Sequence, residues 1–373
     1  MRYKDPLRQI LTSGRSAWDH PGTRPAVRNN FAQMIKCGTL ALGAEVFASQ
    51  IEEKIVPHTC KSRSCPACGH RATIQWQREQ WCALPNIAYE GVVLTMPDVL
   101  WPIFQRNRHL LHDLPHLGAA VIQHWAKLKL GVRVLVMVMP HTFGGRLNFN
   151  CHLHILVSAG GLQEREGRWI NAAFFSGVAE KNKLMRMWRF AVITYLRAAL
   201  KAGILVSDMS PWKLRTRLTE QYERRWNIHV DSFASKEHFL RYAGRYVRRP
   251  PIAQHRFVEI TDQTVRFWIK DKRQKRRIEI PLPPEKFISL LAEHVPDRYR
   301  HAMRYFGLLA PASKARTFPA MFVLLKQSGR RPPRRLSWAF LRRKYSGVDP
   351  LIDSQGQTMK WVKRLPIVGA PTF

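Results

Sequence analysis

Three clusters in this 373-residue sequence combine residue types and spacings suited to chemistry. The first is CHLHILVSAGG (151–161), where His152 and His154 lie one apart in an apolar run. On a strand, side chains alternate, so both imidazoles share a face while Leu153 points the other way. Such a pair suits a divalent cation, although on its own a His-x-His is more often two polar residues on a solvated face. The second cluster, HFLRYAGRYVRRPP (238–251), places Tyr242 and Tyr246 four apart, stacked on one face of a predicted helix. Arg241, Arg245, Arg248 and Arg249 surround them, and a phenol beside guanidiniums is easier to ionise. A tyrosine stripe against a core would give the same spacing, but the segment is not consistently apolar. Gly244 between the tyrosines also costs about 1 kcal/mol in a helix interior.

Together the two clusters point to attack on a DNA phosphodiester. A divalent ion at His152 and His154 would polarise the scissile phosphate. A tyrosine would attack the phosphorus, keep the 5′ phosphate as an ester and release the 3′ hydroxyl. Two tyrosines allow two such esters in turn, which strand transfer needs and simple hydrolysis does not.

The third cluster, CKSRSCPACGH (60–70), sets Cys60, Cys65 and Cys68 as C-x4-C-x2-C with Gly69 following. This is the pattern of a zinc knuckle with one tetrahedral position open. Cys37, His58 and His70 are candidates for that position, and Cys37 is preferred because a ligand distant in sequence closes the loop 37–60. A closed four-ligand site is structural, and its expected task is to hold a small basic module against DNA, with Lys61, Arg63 and Arg71 nearby. Cys82 and Cys151 sit in apolar patterns and are expected in the core.

The elements that must position these residues follow from composition and periodicity. The 61 Lys and Arg exceed the 26 Asp and Glu by a net +35, and so large a charge calls for a polyanion, nucleic acid first. The basic residues are not gathered on one amphipathic helix, and the longest apolar stretches, VRVLVMVMP and HLHILVSA, are strand-length, so no membrane role is expected. With no secretory signal at the start, a cytoplasmic, nucleoid-associated location is expected. Residues 1–30 read as a loosely ordered basic arm and 31–85 as a zinc-binding, DNA-binding domain. Residues 86–310 read as α+β, and 311–373 as a basic DNA-contacting extension containing GRRPPRR (329–335). Strands are predicted at 91–97, 132–140, through the histidines, and in HRFVEI, TVRFWIK and RRIEIPLP. Helices are predicted at about 99–130 with a break near Pro115, at 182–203, from 236 to before Pro250, and through PEKFISLLAEHVPDRYRHAMRYFGLLA.

The sequence resembles the HUH-type (His, hydrophobic residue, His) rolling-circle transposases with two tyrosines, encoded by insertion sequences of the IS91 kind. The resemblance runs from about Cys37 to Leu309. It is carried by CGTLALG, SCPACG, VVLTMPDVLWPIFQRNRHLLHDL, NFNCHLHILVSAGGL, YAGRYVRRPPIAQHRF and YRHAMRYFGLLA. It implies an HUH-type nuclease domain with an antiparallel central sheet flanked by helices, preceded by a small zinc-binding domain. It also implies Mg2+ or Mn2+ on His152 and His154, Tyr242 and Tyr246 as nucleophiles, structural Zn2+, and nicking of single-stranded DNA at the element's ends before transfer to target DNA. The family's additional C-x2-C before the knuckle is missing, since the chain there reads VFASQIEEKI. The third ligand of the catalytic ion is not fixed by the motif; Asn150, Glu237 or His238 could serve. Two other readings fit parts of the pattern. A plasmid replication initiator or relaxase would share the chemistry, and a non-catalytic zinc-dependent DNA-binding protein would explain charge and cysteines but not the tyrosine pair.

Overall fold

The computed structural model describes residues 5–175, 177–271, 274–329, 339–340, 343, 347 and 349–367. The sequence suggested a loose arm over 1–30, yet two helices form there, α1 (Pro6–Ser13) and α2 (Pro25–Ile35). Asp5 caps α1 through the Arg8 amide, and prolines open both helices at a position that needs no amide proton. Their order comes from packing: Leu7, Ile10, Leu11, Trp18, Val27 and Phe31 are buried in one cluster, and the Trp18 indole donates to the Leu11 carbonyl at 2.8 Å. The hairpin β1 (Ala44–Ala48) and β2 (Glu53–Pro57) and then α3 (Pro66–Ala83) complete the N-terminal part.

The centre of the molecule is a five-stranded antiparallel sheet, built from β3 (Tyr89–Leu94), β4 (Leu135–Phe143), β5 (Phe149–Ser158), β8 (Ile228–Phe233) and β12 (Arg304–Gly307), in the order β12-β4-β5-β3-β8. Both faces are covered, which is why β4 reads as a continuous apolar run. One face carries Val136, Val138, Leu153, Ile155, Val92 and Leu94 against α4 (Trp101–Arg106), α5 (Leu114–Leu130), α6 (Val178–Lys201) and α7 (Pro211–Glu220). Gly118 brings α5 onto β5: a Cβ there would stand 2.5 Å from Leu153 Cδ1. The predicted break in the 99–130 helix occurs at Asn107–Asp113, and Pro115 falls harmlessly in the first turn of α5. The small hairpin β6 (Gly161–Gln163) and β7 (Arg168–Ile170) follows the strand with the histidines.

The opposite face carries Leu135, Met137, Met139, Leu156 and Tyr89 against α3, α8 (Lys236–Ala243) and α10 (Pro311–Leu324). YRHAMRYFGLLA was expected to be helical; instead its RYFG segment is β12, paired along β4. The hydrogen bonds offered by an open sheet edge override the local pattern there.

A second sheet, β9 (Phe257–Ile260), β10 (Val265–Lys270) and β11 (Arg277–Leu282), matches the three predicted strands and packs with α9 (Pro284–Glu293) against α1, α2 and the cysteines. A third joins β1 and β2 to β13 (Lys360–Leu365), so part of the expected basic extension is a strand, paired from Ala44↔Leu365 to Ala48↔Lys360. Residues 330–335 of GRRPPRR lie outside the described residues. No helix among the described residues is long and apolar enough to cross a membrane.

Candidate active site and metal centres

The structure brings Cys37, Cys60, Cys65 and Cys68 together. Cys37 stands just beyond α2, while Cys65 caps α3 and Cys68 lies in its first turn. The Cys37–Cys68 and Cys60–Cys68 sulfur distances are 3.7 Å, and Cys37–Cys65 is 3.8 Å. A tetrahedron with zinc–sulfur bonds of about 2.3 Å has edges of about 3.8 Å, so the four thiols fit a zinc ion. Hydrogen bonds from Cys37, then Cys60 and Cys65, hold the Cys68 thiol well below the usual thiol range. His58 has both ring nitrogens engaged, by the Leu42 carbonyl at 3.0 Å and Glu45 Oε1 at 3.1 Å, and His70 is exposed outside the cluster. Gly69 is required by packing. A Cβ there would stand 2.6 Å from the Arg248 carbonyl oxygen, so glycine lets the knuckle press on the segment just after Tyr246.

On the sheet, His152 and His154 share a face and Leu153 and Ile155 are buried on the other. A third imidazole joins them, His141, directly opposite His152 in the β4–β5 ladder. It is a further candidate for the third ligand, beside Asn150, Glu237 and His238. Glu237 and His238 are exposed, and Glu237 is paired to Arg241 at 2.7 Å. Asn150 is on the histidine face two residues before His152. His141 was missed because the turn is longer than its glycines suggest. A two-residue turn on Gly144 and Gly145 would set Met137 opposite His152, whereas the chain turns through Gly144–Asn148 with a register shift after His141.

The surroundings of the three rings suit a cation. His141 Nε2 donates to the Tyr246 carbonyl at 2.8 Å and His152 Nδ1 to the Asn150 carbonyl at 2.7 Å, which leaves a lone pair on the other nitrogen of each ring. Buried His154 Nδ1 and Asn150 Oδ1 have no hydrogen-bond partner among the described residues. Burial, then the neighbouring histidines His154 and His152, holds His141 well below the usual histidine range. Burial, His152 and Arg249 bring His154 down to about 2. Both rings are therefore neutral at physiological pH and available as ligands.

The tyrosines are adjacent to this cluster. Tyr246 stacks on His154 with ring centroids 3.8 Å apart, and Tyr242 lies 4.9 Å from Tyr246. The predicted helix does not reach Tyr246. It ends at Ala243 with Gly244 as its cap, and a tighter turn follows, with the Tyr246 amide bonded to the Ala243 carbonyl at 2.9 Å. Gly244 leaves room for Gln77 of α3, which donates to the Leu240 carbonyl at 2.8 Å. The expectation of easily ionised phenols is corrected at Tyr242: burial, Tyr246 and Asp231 push its hydroxyl well above the usual range. The arginines do not offset this. Arg241, Arg245, Arg248 and Arg249 are exposed, and Arg241 is held by Glu237. Lys61 is exposed at positive φ, and Arg63 turns inward to the Pro140 carbonyl at 3.2 Å.

Residues 10–96 match the family described as a transposase zinc-binding domain, and residues 135–317 match one described as a putative transposase. The chain is 32% identical to the transposase for insertion sequence element IS801 of Pseudomonas savastanoi pv. phaseolicola, over 92% of this chain and 86% of that protein. The chain belongs to the IS91-like transposases. It is also 29% identical to the putative transposase y4qJ of Sinorhizobium fredii (strain NBRC 101917 / NGR234), over 78% of this chain and 76% of that protein. No solved structure matches. A transposase is a DNA-cleaving enzyme, so DNA is the partner of this one, and its cysteine cluster is the zinc site of an N-terminal zinc-binding domain.

Proposed function

We propose that this transposase nicks single-stranded DNA at the ends of its element through a 5′-phosphotyrosine ester and then transfers the strand to target DNA by a rolling-circle-like route. The observation that carries the reading is the convergence of His141, His152 and His154 with Tyr246 stacked on His154 and Tyr242 beside it. His141, His152 and His154 would hold Mg2+ or Mn2+, which when bound supplies charge to the scissile phosphate. The phenolic oxygen forms the new bond to phosphorus, and the bond from phosphorus to the 3′ oxygen breaks. The phenol loses its proton and the departing 3′ oxygen gains one, so the strand ends in a free 3′ hydroxyl. A second tyrosine repeats the step while the first ester is intact.

The zinc-binding part (31–85), the nuclease part (86–310) and the basic segments before and after them would then contact DNA in a cytoplasmic, nucleoid-bound complex. The test is to incubate the protein with Mg2+ and single strands covering both flanks of its own gene, then search for an adduct that survives denaturant. The expected adduct disappears in Tyr242→Phe/Tyr246→Phe. No adduct with the unaltered chain, or an equal amount with the double variant, removes the covalent mechanism. His141→Ala is expected to abolish cleavage while DNA affinity stays within about threefold, because phosphate contacts come from other residues.

A further inference from the structure

Arg63 stands between Cys60 and Cys65, yet its side chain leaves the zinc module. Its Nη2 donates to the Pro140 carbonyl, the peptide group immediately before His141. Among the described residues it forms no ion pair. It lines a cleft together with His141, Arg249, Arg300 and Arg304. The single carboxylate on the lining, Asp297, is already paired to Arg24 and Arg108. A guanidinium half-withdrawn from water among other cations is costly unless an anion completes it.

The knuckle is fixed in this place by two further contacts. Gly69 abuts the Arg248 carbonyl, and Gln77 of the same helix holds the Leu240 carbonyl two residues before Tyr242. The zinc module thus touches the sheet before His141 and the chain on either side of the tyrosines.

We propose that the zinc knuckle forms one wall of the DNA cleft, and that Arg63 binds a backbone phosphate of the strand across from Arg249, next to the histidine cluster. The identity of the strand rests on the nuclease reading above; the phosphate contact does not. Loss of zinc would then remove a contact inside the active cleft, not only an outlying DNA anchor.

The test measures equilibrium binding of a fluorescent single-stranded oligonucleotide by the Tyr242→Phe/Tyr246→Phe protein, in which no ester forms, against salt. Adding Arg63→Ala is expected to weaken binding about tenfold. It should also lower the slope of log affinity against log salt by about 0.7, one phosphate contact on a single strand. Arg63→Lys, which keeps the charge, should restore the slope, and both variants should retain the zinc content of the parent. Unchanged affinity and slope in Arg63→Ala overturn the proposal. So does a slope that Arg63→Lys fails to restore, since that outcome marks a purely structural arginine. Failure of the nuclease reading shows separately, as absence of a covalent adduct in the chain with both tyrosines, and leaves the binding result standing.

Discussion

Tyr246 and Tyr242 have the same side chain in unlike surroundings, and this difference predicts different roles for them. Tyr246 lies against His154, whereas Tyr242 is half-buried between Tyr246 and Asp231 with its proton held tightly. Tyr246→Phe is therefore expected to abolish the first adduct, and Tyr242→Phe to leave it and block the second, as read by counting esters on a doubly cut substrate. Gly91 on β3 makes room for Tyr242, since a Cβ there would stand 3.0 Å from Tyr242 Cε1 and 3.1 Å from Phe233 Cε2. Gly91→Ala is expected to shift that ring and slow the second ester about tenfold, with the first unaffected. The buried histidines also set a pH dependence. His154 binds its proton far less readily folded than unfolded, where its pKa is about 6.5, and His141 shifts in the same direction. Their contribution is complete above about pH 6.5 and is lost as pH falls from there toward the folded values. Metal-free protein should lose about 1 kcal/mol per pH unit for each histidine below pH 6, measured by urea unfolding. Replacing His154 by Asn should flatten that slope.

At the scale of elements, the knuckle and the tyrosine helix depend on each other. Gly69→Ala forces the α3 terminus off the Arg248 carbonyl and should cost about 2 kcal/mol of stability with zinc still bound, whereas Cys37→Ser should release the zinc itself. Metal analysis beside thermal unfolding separates the two. The sequence made the parts near these contacts readable to different depths. His152 and His154 could be placed on one face by strand alternation, which is a local argument, and Cys37 could be chosen because a ligand distant in sequence closes a loop onto the knuckle. His141 could not, since its partner depends on where a five-residue turn shifts the ladder. The helix end at Ala243 was hidden because Gly244 looked like a fault inside a helix, and only Gln77, far away in sequence, shows it to be a cap. The RYFG strand and β13 were likewise unreadable, because each exists through pairing with a distant segment.

For the whole molecule, the described segments near both ends of the chain are structural. β13 covers the edge of β1, and Arg24 of the N-terminal part bonds the Ala292 carbonyl in the last turn of α9 at 2.8 Å and the Val295 carbonyl just beyond it at 3.0 Å. Removing the chain from residue 349 onward should bare the β1 edge, lower the melting midpoint and promote association, which light scattering during heating will register. Unchanged melting would mean that β13 contributes nothing to the fold. The net charge of +35 adds a further expectation, because its self-repulsion is offset by bound polyanion, so single-stranded DNA should raise the melting midpoint and added salt should weaken that gain.

The contact of Gly69 with the Arg248 carbonyl, two residues past Tyr246, has a consequence for descent. A zinc module that only gripped DNA could be exchanged between relatives like a detachable tool, bringing a new end preference with it. Here the knuckle leaves no space for a side chain at Gly69 and reaches the residue before His141, so the joint itself must travel with both halves. Chimaeras that join one relative's knuckle to another's tyrosine segment should fail unless the residues facing this joint are transplanted together, and lineages of these elements should inherit the two as a single unit.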